Sequence, residues 1–364
     1  MSFQPEPPFD HGSAPVVGLL LCNLGTPDEP TPGAVRRYLA QFLADPRVIE
    51  IPKLAWWPIL HGIILRTRPA KSAKKYASIW TKEGSPLAVW TRRQAGLLQG
   101  YLGEQGHRVV VRHAMRYGNP SIASQMDALR AAGATRVLVL PAYPQYSGAT
   151  TASVIDDIAR WSMSHRHVPE LRIVNRYHDD PRYIAALADS VRAHWKSEGR
   201  ADVLVMSFHG MPARTLTLGD PYHCECLKTG RLLAEALKLS AAQYKVTFQS
   251  RFGRARWLEP YTEPTLKLMA SQGGVKSVDL ICPGFSADCI ETLEEIDMEA
   301  RAAFLANGGQ RFSYIPCLND QPVHIRALAG IAEQHLQGWP TRQPPDQEAL
   351  ARQKEAALLA GASR

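Results

Sequence analysis

The stretch Ser207-Phe208-His209-Gly210-Met211-Pro212 sets a histidine at the end of an apolar run, followed by a glycine that permits a tight turn. A neutral imidazole can accept a proton or ligate a metal near pH 7. A histidine satisfied by neighbouring backbone is the plain alternative. Further along, Asp288, Glu291, Glu294, Glu295, Asp297 and Glu299 crowd six carboxylates into twelve residues of a basic protein. On a helix, Asp288, Glu291, Glu295 and Glu299 are spaced 3, 4 and 4, so they stack along one face. Ile290, Leu293, Ile296, Ala300 and Phe304 supply the apolar side. The helix dipole accounts for Asp288 and Glu291, at up to ~1 kcal/mol each. It does not account for Glu295 and Glu299, whose mutual repulsion costs roughly 0.2–0.5 kcal/mol per pair. A cation or shared protons would relieve it; a solvated charged face is the competing reading. Tyr143, Tyr146, Phe208, Trp257 and Phe285 fall in or beside loops that follow apolar runs. Singly they suit core packing; together they could wall a cleft for a flat apolar ligand.

Positioning these groups requires a scaffold. Strands are expected at 16–22, 108–114, 136–141, 171–175, 202–208, 245–249, 276–282 and 311–315, mostly as near-continuous apolar runs covered on both faces. Helical segments are expected at 32–43, 119–131, 150–164, 181–198, 224–238, 289–306 and 322–337. This alternation predicts an α/β chain of two Rossmann-like, doubly wound lobes, each with a parallel sheet of about four strands. In such sheets ligands bind outside the carboxyl ends of the strands, where His209 and the aromatic loops fall. A faint internal echo supports two halves: the first and fifth strand candidates run into Gly25-Thr26-Pro27 and Gly210-Met211-Pro212, the third and seventh into Pro144-Gln145-Tyr146-Ser147 and Pro283-Gly284-Phe285-Ser286. The expected divisions are a frayed 1–14, a first lobe over 15–168 and a second over 169–312. A strand and helix at 313–338 return to the first lobe, and a Pro-rich linker with a terminal helix occupies 339–364.

Of the 364 residues, 42 are Lys or Arg and 34 are Asp or Glu, a net +8 that favours anionic partners without choosing among them. The longest apolar run, Leu54 to Leu65, is twelve residues and contains His61, short of the ~20 that span a bilayer. No Lys or Arg precedes the apolar stretch 16–22, which argues against a secretory signal. Six scattered cysteines read as reduced thiols in a cytoplasmic protein.

The stretches LLCNLGTPDEP (20–30), LPAYPQYSGATT (140–151), SFHGMP (207–212), GDPY (219–222), FQSRFGRARWLEPYT (248–262) and CPGFSADCIETLEEID (282–297) together resemble ferrochelatase, over roughly residues 16–335. The resemblance implies a two-lobed chelatase that inserts Fe²⁺ into protoporphyrin IX, with release of two protons, as the last step of haem synthesis. It implies His209 and Glu291 as the catalytic pair facing each other across the cleft. Iron would meet His209, Glu291, Glu295 and Glu299, and the porphyrin would meet Leu24, Arg116, Tyr117, Tyr143, Ser147, Trp257 and Phe285. Which of His209 and Glu291 takes pyrrole protons and which ligates iron stays open. Leu24 stands where coproporphyrin-using members tend to have tyrosine, which points to protoporphyrin IX.

The resemblance implies no permanently bound cofactor, iron being substrate. Cys317 is the one cysteine past residue 300, and Gly148 stands where animal members carry cysteine, so no [2Fe–2S] cluster of their form is expected. His223, Cys224 and Cys226 could bind a metal, but so close in sequence they suit a helix start better. Cys289 stands where some relatives have a histidine. Residues 54–65 (LAWWPILHGIIL) precede Arg66, Arg68, Lys71, Lys74 and Lys75. This pattern suits reversible contact of 54–75 with an anionic membrane surface, a lip over the cleft, or both. The expected location is cytoplasmic, with peripheral contact on the inner face of the cell membrane. No nucleic-acid partner is expected, and the sequence is silent on oligomeric partners. The competing functions are a sirohydrochlorin-type cobalt or nickel chelatase and a non-catalytic tetrapyrrole carrier.

Overall fold

Among the described residues, eight parallel strands form at the eight expected places: β1 (Val16–Thr26), β2 (Val109–Gly118), β3 (Ala134–Pro141), β4 (Glu170–Ile173), β5 (Val203–His209), β6 (Tyr244–Gln249), β7 (Ser277–Ile281) and β8 (Arg311–Ile315). The structure is a computed structural model that describes residues 3–363 apart from 252, 254 and 273. Phe252 and Arg254 of the 248–262 motif, and residues 1 and 2, lie outside the described residues. The strands divide into two four-stranded sheets, ordered β2-β1-β3-β4 and β6-β5-β7-β8. Each strand of one sheet has a counterpart at the same place in the other. The paired motifs after β1 and β5, and after β3 and β7, therefore sit at equivalent sheet edges. Helices cover both faces, which is why Leu19 to Cys22 and Val205 to Phe208 are buried without alternation.

Local chemistry starts the helices that frame these sheets. Thr31 caps Pro32–Leu43 by accepting from the Ala34 amide, and Asp180 caps Pro181–Glu198 by accepting from the Arg182 amide at 2.9 Å. Helices over Lys53–Ile79, Pro86–Glu104 and Thr262–Ser271 were not expected from periodicity. Pro58 and Pro69 interrupt the first of these, which widens into a π-turn over Leu60–Ile64.

Four of the expected divisions are corrected. β4 pairs with β3, so the first sheet runs past the expected division near residue 168. β8 stays in the second sheet, beside β7, and only the following helix, Pro322–Leu336, returns to pack on Pro86–Glu104 and Pro181–Glu198. The segment after it is more than a linker. Trp339 and Thr341 are buried, Trp339 donates to Glu170, and the Thr341 carbonyl accepts from the Arg108 amide. Nor is 3–14 frayed. The Gln4 amide donates to the Ser164 carbonyl at 2.8 Å, Glu6 pairs with Arg130, and Asp10 meets Lys354.

His324 joins the returning helix to the rest. It is fully buried, and its Nδ1 lies 2.8 Å from the Asn319 carbonyl, an acceptor, so Nδ1 carries the hydrogen. Nε2 has no partner among the described residues. Burial pulls this imidazole down to about 4, because a second proton would sit on a nitrogen with nothing to receive it. The unfolded chain thus binds a proton between pH ~6.5 and about 4 that the folded chain refuses. Stability is expected to fall by about 3 kcal/mol as pH descends through that window, from this residue alone. Urea midpoints for His324→Phe measured at pH 7 and pH 5 should differ less than those of the native protein. Equal pH sensitivity would refute the assignment.

Candidate active site

The loops that leave the carboxyl ends of the strands of the two sheets are stitched to one another. Gln94, buried on the 86–104 helix, donates to the carbonyls of Ser286 and Asn319, both at 2.9 Å. Ser286 donates to the Ala142 carbonyl at 2.6 Å, joining the loop after β7 to the loop after β3. The Gly148 amide and the Ser147 hydroxyl donate to Asp220, and the Tyr146 amide donates to Glu225.

His209 ends β5 beside Gln249, its register partner at the end of β6. Its Nδ1 lies 2.6 Å from the Gly210 carbonyl, which can only accept. The hydrogen therefore sits on Nδ1, and in the neutral ring Nε2 is the lone-pair atom. Gly210 is required here: a Cβ would lie 2.6 Å from the Gln249 carbonyl oxygen and 3.2 Å from the Trp257 ring. Trp257 is thereby laid against the turn that presents His209, held by an isolated antiparallel backbone bridge between Trp257 and Pro212.

Gln249 and Ser250 carry the chain from His209 to the acids. The Gln249 amide nitrogen donates to the Glu291 carbonyl at 2.7 Å while its oxygen accepts from Ser207 at 2.7 Å. Ser250 adopts a left-handed backbone (φ 64°), which aims both its amide and its hydroxyl at the Glu295 carboxylate, 2.6 and 2.5 Å away. Burial pushes the Glu295 carboxyl up; the Ser250 hydroxyl, the charge of His209 and the Ser250 amide only partly offset it, and Glu291 adds to the rise. His209, Glu295 and Glu291 thus share one electrostatic neighbourhood.

The acidic helix winds as a π-helix over Glu291–Ala300, a correction to the expected α-helical stacking. Its bonds run from residue i to i+5, so residues four and five apart share a face. Glu291 and Glu295 remain neighbours. Glu299 instead joins Glu294 on the Lys75 ammonium, at 2.8 and 2.9 Å, apart from the expected line. Asp288 is not in the line either. It is buried and accepts from Tyr314, Thr292 and Asn319. Among the described residues no three of His, Cys, Asp and Glu gather closely enough to hold a metal ion, the 223–226 trio included. Cys224 and Cys226 lie in the first turn of the Tyr222–Ala236 helix, one exposed and one buried. Cys289 is buried, and desolvation together with Glu291 pushes its thiol well up.

The expected cleft residues divide. Leu24, Tyr117 and Ile290 belong to one apolar cluster with Tyr38 and Tyr76, and Leu24 and Phe285 to a second with Leu87 and Cys289. These clusters form an apolar wall beside Glu291, whose charge is felt by both Tyr38 and Tyr76. Gly25 shapes that wall. It has φ +112°, and a Cβ there would fall 1.7 Å from the Tyr117 carbonyl oxygen. Arg116 and the Tyr117 hydroxyl are committed elsewhere: both donate to Asp45, at 2.6 and 2.7 Å, and Arg116 also donates to Ser153. Ser147 is fully buried, and Tyr143 is held in the core cluster under β1 and β3, its hydroxyl buried without a partner among the described residues. Tyr38, Tyr76, Asp45, Gln249 and Ser250 were missed. Gln249 and Ser250 end a strand, the very signal that flagged His209; nothing in the spacing marks the other three.

The family model described as Ferrochelatase matches residues 16–336. A protein named Ferrochelatase from Polaromonas sp. is 65% identical, with all of both chains covered. A second so named, from Methylibium petroleiphilum, is 63% identical over all of this chain and 99% of its own. Among solved structures, SirB from Bacillus subtilis with Fe³⁺ has a TM-score of 0.53 at 11% identity, covering 90% of this chain and all of its own. SirB from Bacillus subtilis subspecies spizizenii in complex with cobalt gives 0.51 at 11% identity, covering 88% of this chain and 94% of its own, so the likeness is one of fold.

Proposed function

Because this chain belongs to the ferrochelatase family, and accordingly inserts Fe²⁺ into protoporphyrin IX to give protohaem, we propose that His209, Glu291 and Glu295 carry the chemistry. The observation that supports the assignment most is the His209 ring itself. Its Nδ1 hydrogen is spent on Gly210, so the remaining lone pair, Nε2, is free for a proton or a metal. A free-base macrocycle must lose two pyrrole protons as iron enters, so a base on one face and a cation source nearby are both required. His209 accepts pyrrole protons. Glu291 and Glu295 receive iron and neutralise its charge, Glu295 being oriented by Ser250. Leu24, Phe285, Trp257, Tyr38 and Tyr76 hold the ring by its apolar faces, and binding energy from its rim offsets the distortion that admits an out-of-plane ion. Arg116, Tyr117, Tyr143 and Ser147 support this wall from behind rather than touching the substrate's polar groups.

Anaerobic incubation with protoporphyrin IX and Fe²⁺ or Zn²⁺ tests the reading: free-base fluorescence should vanish with multiple turnovers per protein. A single stoichiometric change with tight retention of the pigment would favour a carrier instead. The lip adds a proposed location, cytoplasmic with peripheral contact on the inner membrane face. Leu54 is 93% exposed and Trp57 63%, with Ile51, Ile59 and Ile63 also exposed beside Lys53, Arg66, Lys71 and Lys74. No described helix is long and apolar enough to cross a membrane. Docking therefore means laying this patch in the headgroup layer. Flotation with vesicles rich in anionic lipid should carry the protein, and Trp57→Glu with Lys71→Glu should abolish it; unchanged flotation of that variant would exclude docking through the lip.

A further inference from the structure

The ion pairs between the lip and the acidic helix have no part in the chemistry above, and they join the two lobes at the rim of the cleft. Lys75 stands on the lip helix, Leu65–Ile79, of the first lobe; Glu294 and Glu299 stand on the π-helix of the second. The ammonium lies 2.9 Å from Glu294 and 2.8 Å from Glu299. One turn along, the Ser78 hydroxyl reaches the Met298 sulfur at 4.0 Å. The π-winding creates this double acceptor, because residues five apart come round to the same side. On an α-helix they would stand about 140° apart and could not share one ammonium. Glu294 is only 11% exposed, whereas Glu299 and Lys75 are half in water. The residue after Lys75 is Tyr76, buried in the wall with Tyr38 and Tyr117. A shift of the lip at Lys75 must therefore move the wall that grips the ring.

We propose that Lys75 is a positioning residue for metal insertion: held jointly by Glu294 and Glu299, it latches the lip of one lobe onto the acidic helix of the other and retains the macrocycle in the cleft. The inference rests on the ferrochelatase reading. With the ammonium and Glu299 half in water, the contact is weak enough to open, as a gate over a large flat substrate must.

The test measures KM for protoporphyrin and for Zn²⁺, together with release of bound protoporphyrin followed by its fluorescence without metal. Lys75→Met is expected to raise porphyrin KM and the release rate about 5-fold, with kcat and the Zn²⁺ KM within about twofold of native. Lys75→Arg should restore both. Adding Glu294→Gln to Lys75→Met should cost nothing more, since the pair is already broken. Raising the salt concentration should weaken porphyrin retention in the native protein and leave Lys75→Met flat. The salt series needs no variant to fold. Unchanged release in Lys75→Met would overturn the latch, as would a shift in Zn²⁺ KM alone, which would place Lys75 on the metal path. Either result beside normal native turnover rejects the latch only. Absence of turnover in the native protein would reject the ferrochelatase reading itself.

Discussion

His209→Ala is expected to slow metal insertion at least 100-fold, at the lower end of what a positioned acid–base group contributes (~10²–10⁴). The reasoning begins with cost to the fold, which is small. The ring is only partly buried, and its one hydrogen bond among the described residues is the Nδ1–H to the Gly210 carbonyl. Losing it costs about 1 kcal/mol, so the variant should keep its urea midpoint and far-ultraviolet spectrum. The rate loss would then report chemistry. Two roles can be separated by the metal. A base serves every ion equally, so Fe²⁺, Co²⁺ and Zn²⁺ should be slowed alike. A ligand role would make the loss depend on the ion, following the order in which nitrogen donors prefer these metals. Near-native insertion by a well-folded His209→Ala protein would sink the assignment.

Much of this was legible because strand periodicity and strand-end placement are local signals. Runs such as VVGLLLC (16–22) are strands covered on both faces whatever surrounds them, and the residue following a strand faces the crevice by topology alone. His209 was accessible to that logic, and so were Gln249 and Ser250, had polar groups at the end of β6 been weighed like the histidine at the end of β5. The acids were legible as a cluster but not in their grouping. Periodicity assumes 3.6 residues per turn, and a π-helix of ten residues breaks it with no mark in composition. Four carboxylates expected on one face consequently part into three duties: Glu291 with Glu295, Glu299 with Glu294 on Lys75, and Asp288 inside. Arg116 and Tyr117 illustrate another limit. Tyr117 does fall in the apolar cluster with Leu24, but a partner far off in sequence, Asp45, takes the polar atoms of both. Long-range pairing of that kind has no local trace.

Asp288 makes the division of duties measurable, since Asp288→Ala should cost stability where a member of an iron path would cost only activity. Its two oxygens accept from the Tyr314 hydroxyl at 2.6 Å, the Thr292 hydroxyl at 3.1 Å, the Cys317 amide at 3.3 Å and the Asn319 side-chain amide at 2.6 Å. No lysine or arginine is among these partners, so dipoles and hydrogen bonds alone hold the buried charge. Removing the carboxylate strands several buried donors at once. Each hydrogen bond to a charged group contributes about 1.5–3 kcal/mol, and the losses overlap, so about 3–5 kcal/mol is expected. Asp288→Asn does not escape. Its oxygen can serve Tyr314 and Thr292, but its nitrogen would then confront the Asn319 nitrogen. Turning Asn319 over would break the bond its oxygen accepts from the Asp288 amide at 2.8 Å. The isosteric variant should therefore lose about 1–3 kcal/mol, intermediate between native and alanine. Because Asp288 stands three residues before the π-helix and anchors it to β8 through Tyr314, metal insertion should fall in parallel with stability. Urea unfolding with an unchanged slope and a lowered midpoint is the expected signature. A native midpoint in both variants, with insertion lost, would return Asp288 to the acids proposed to receive iron.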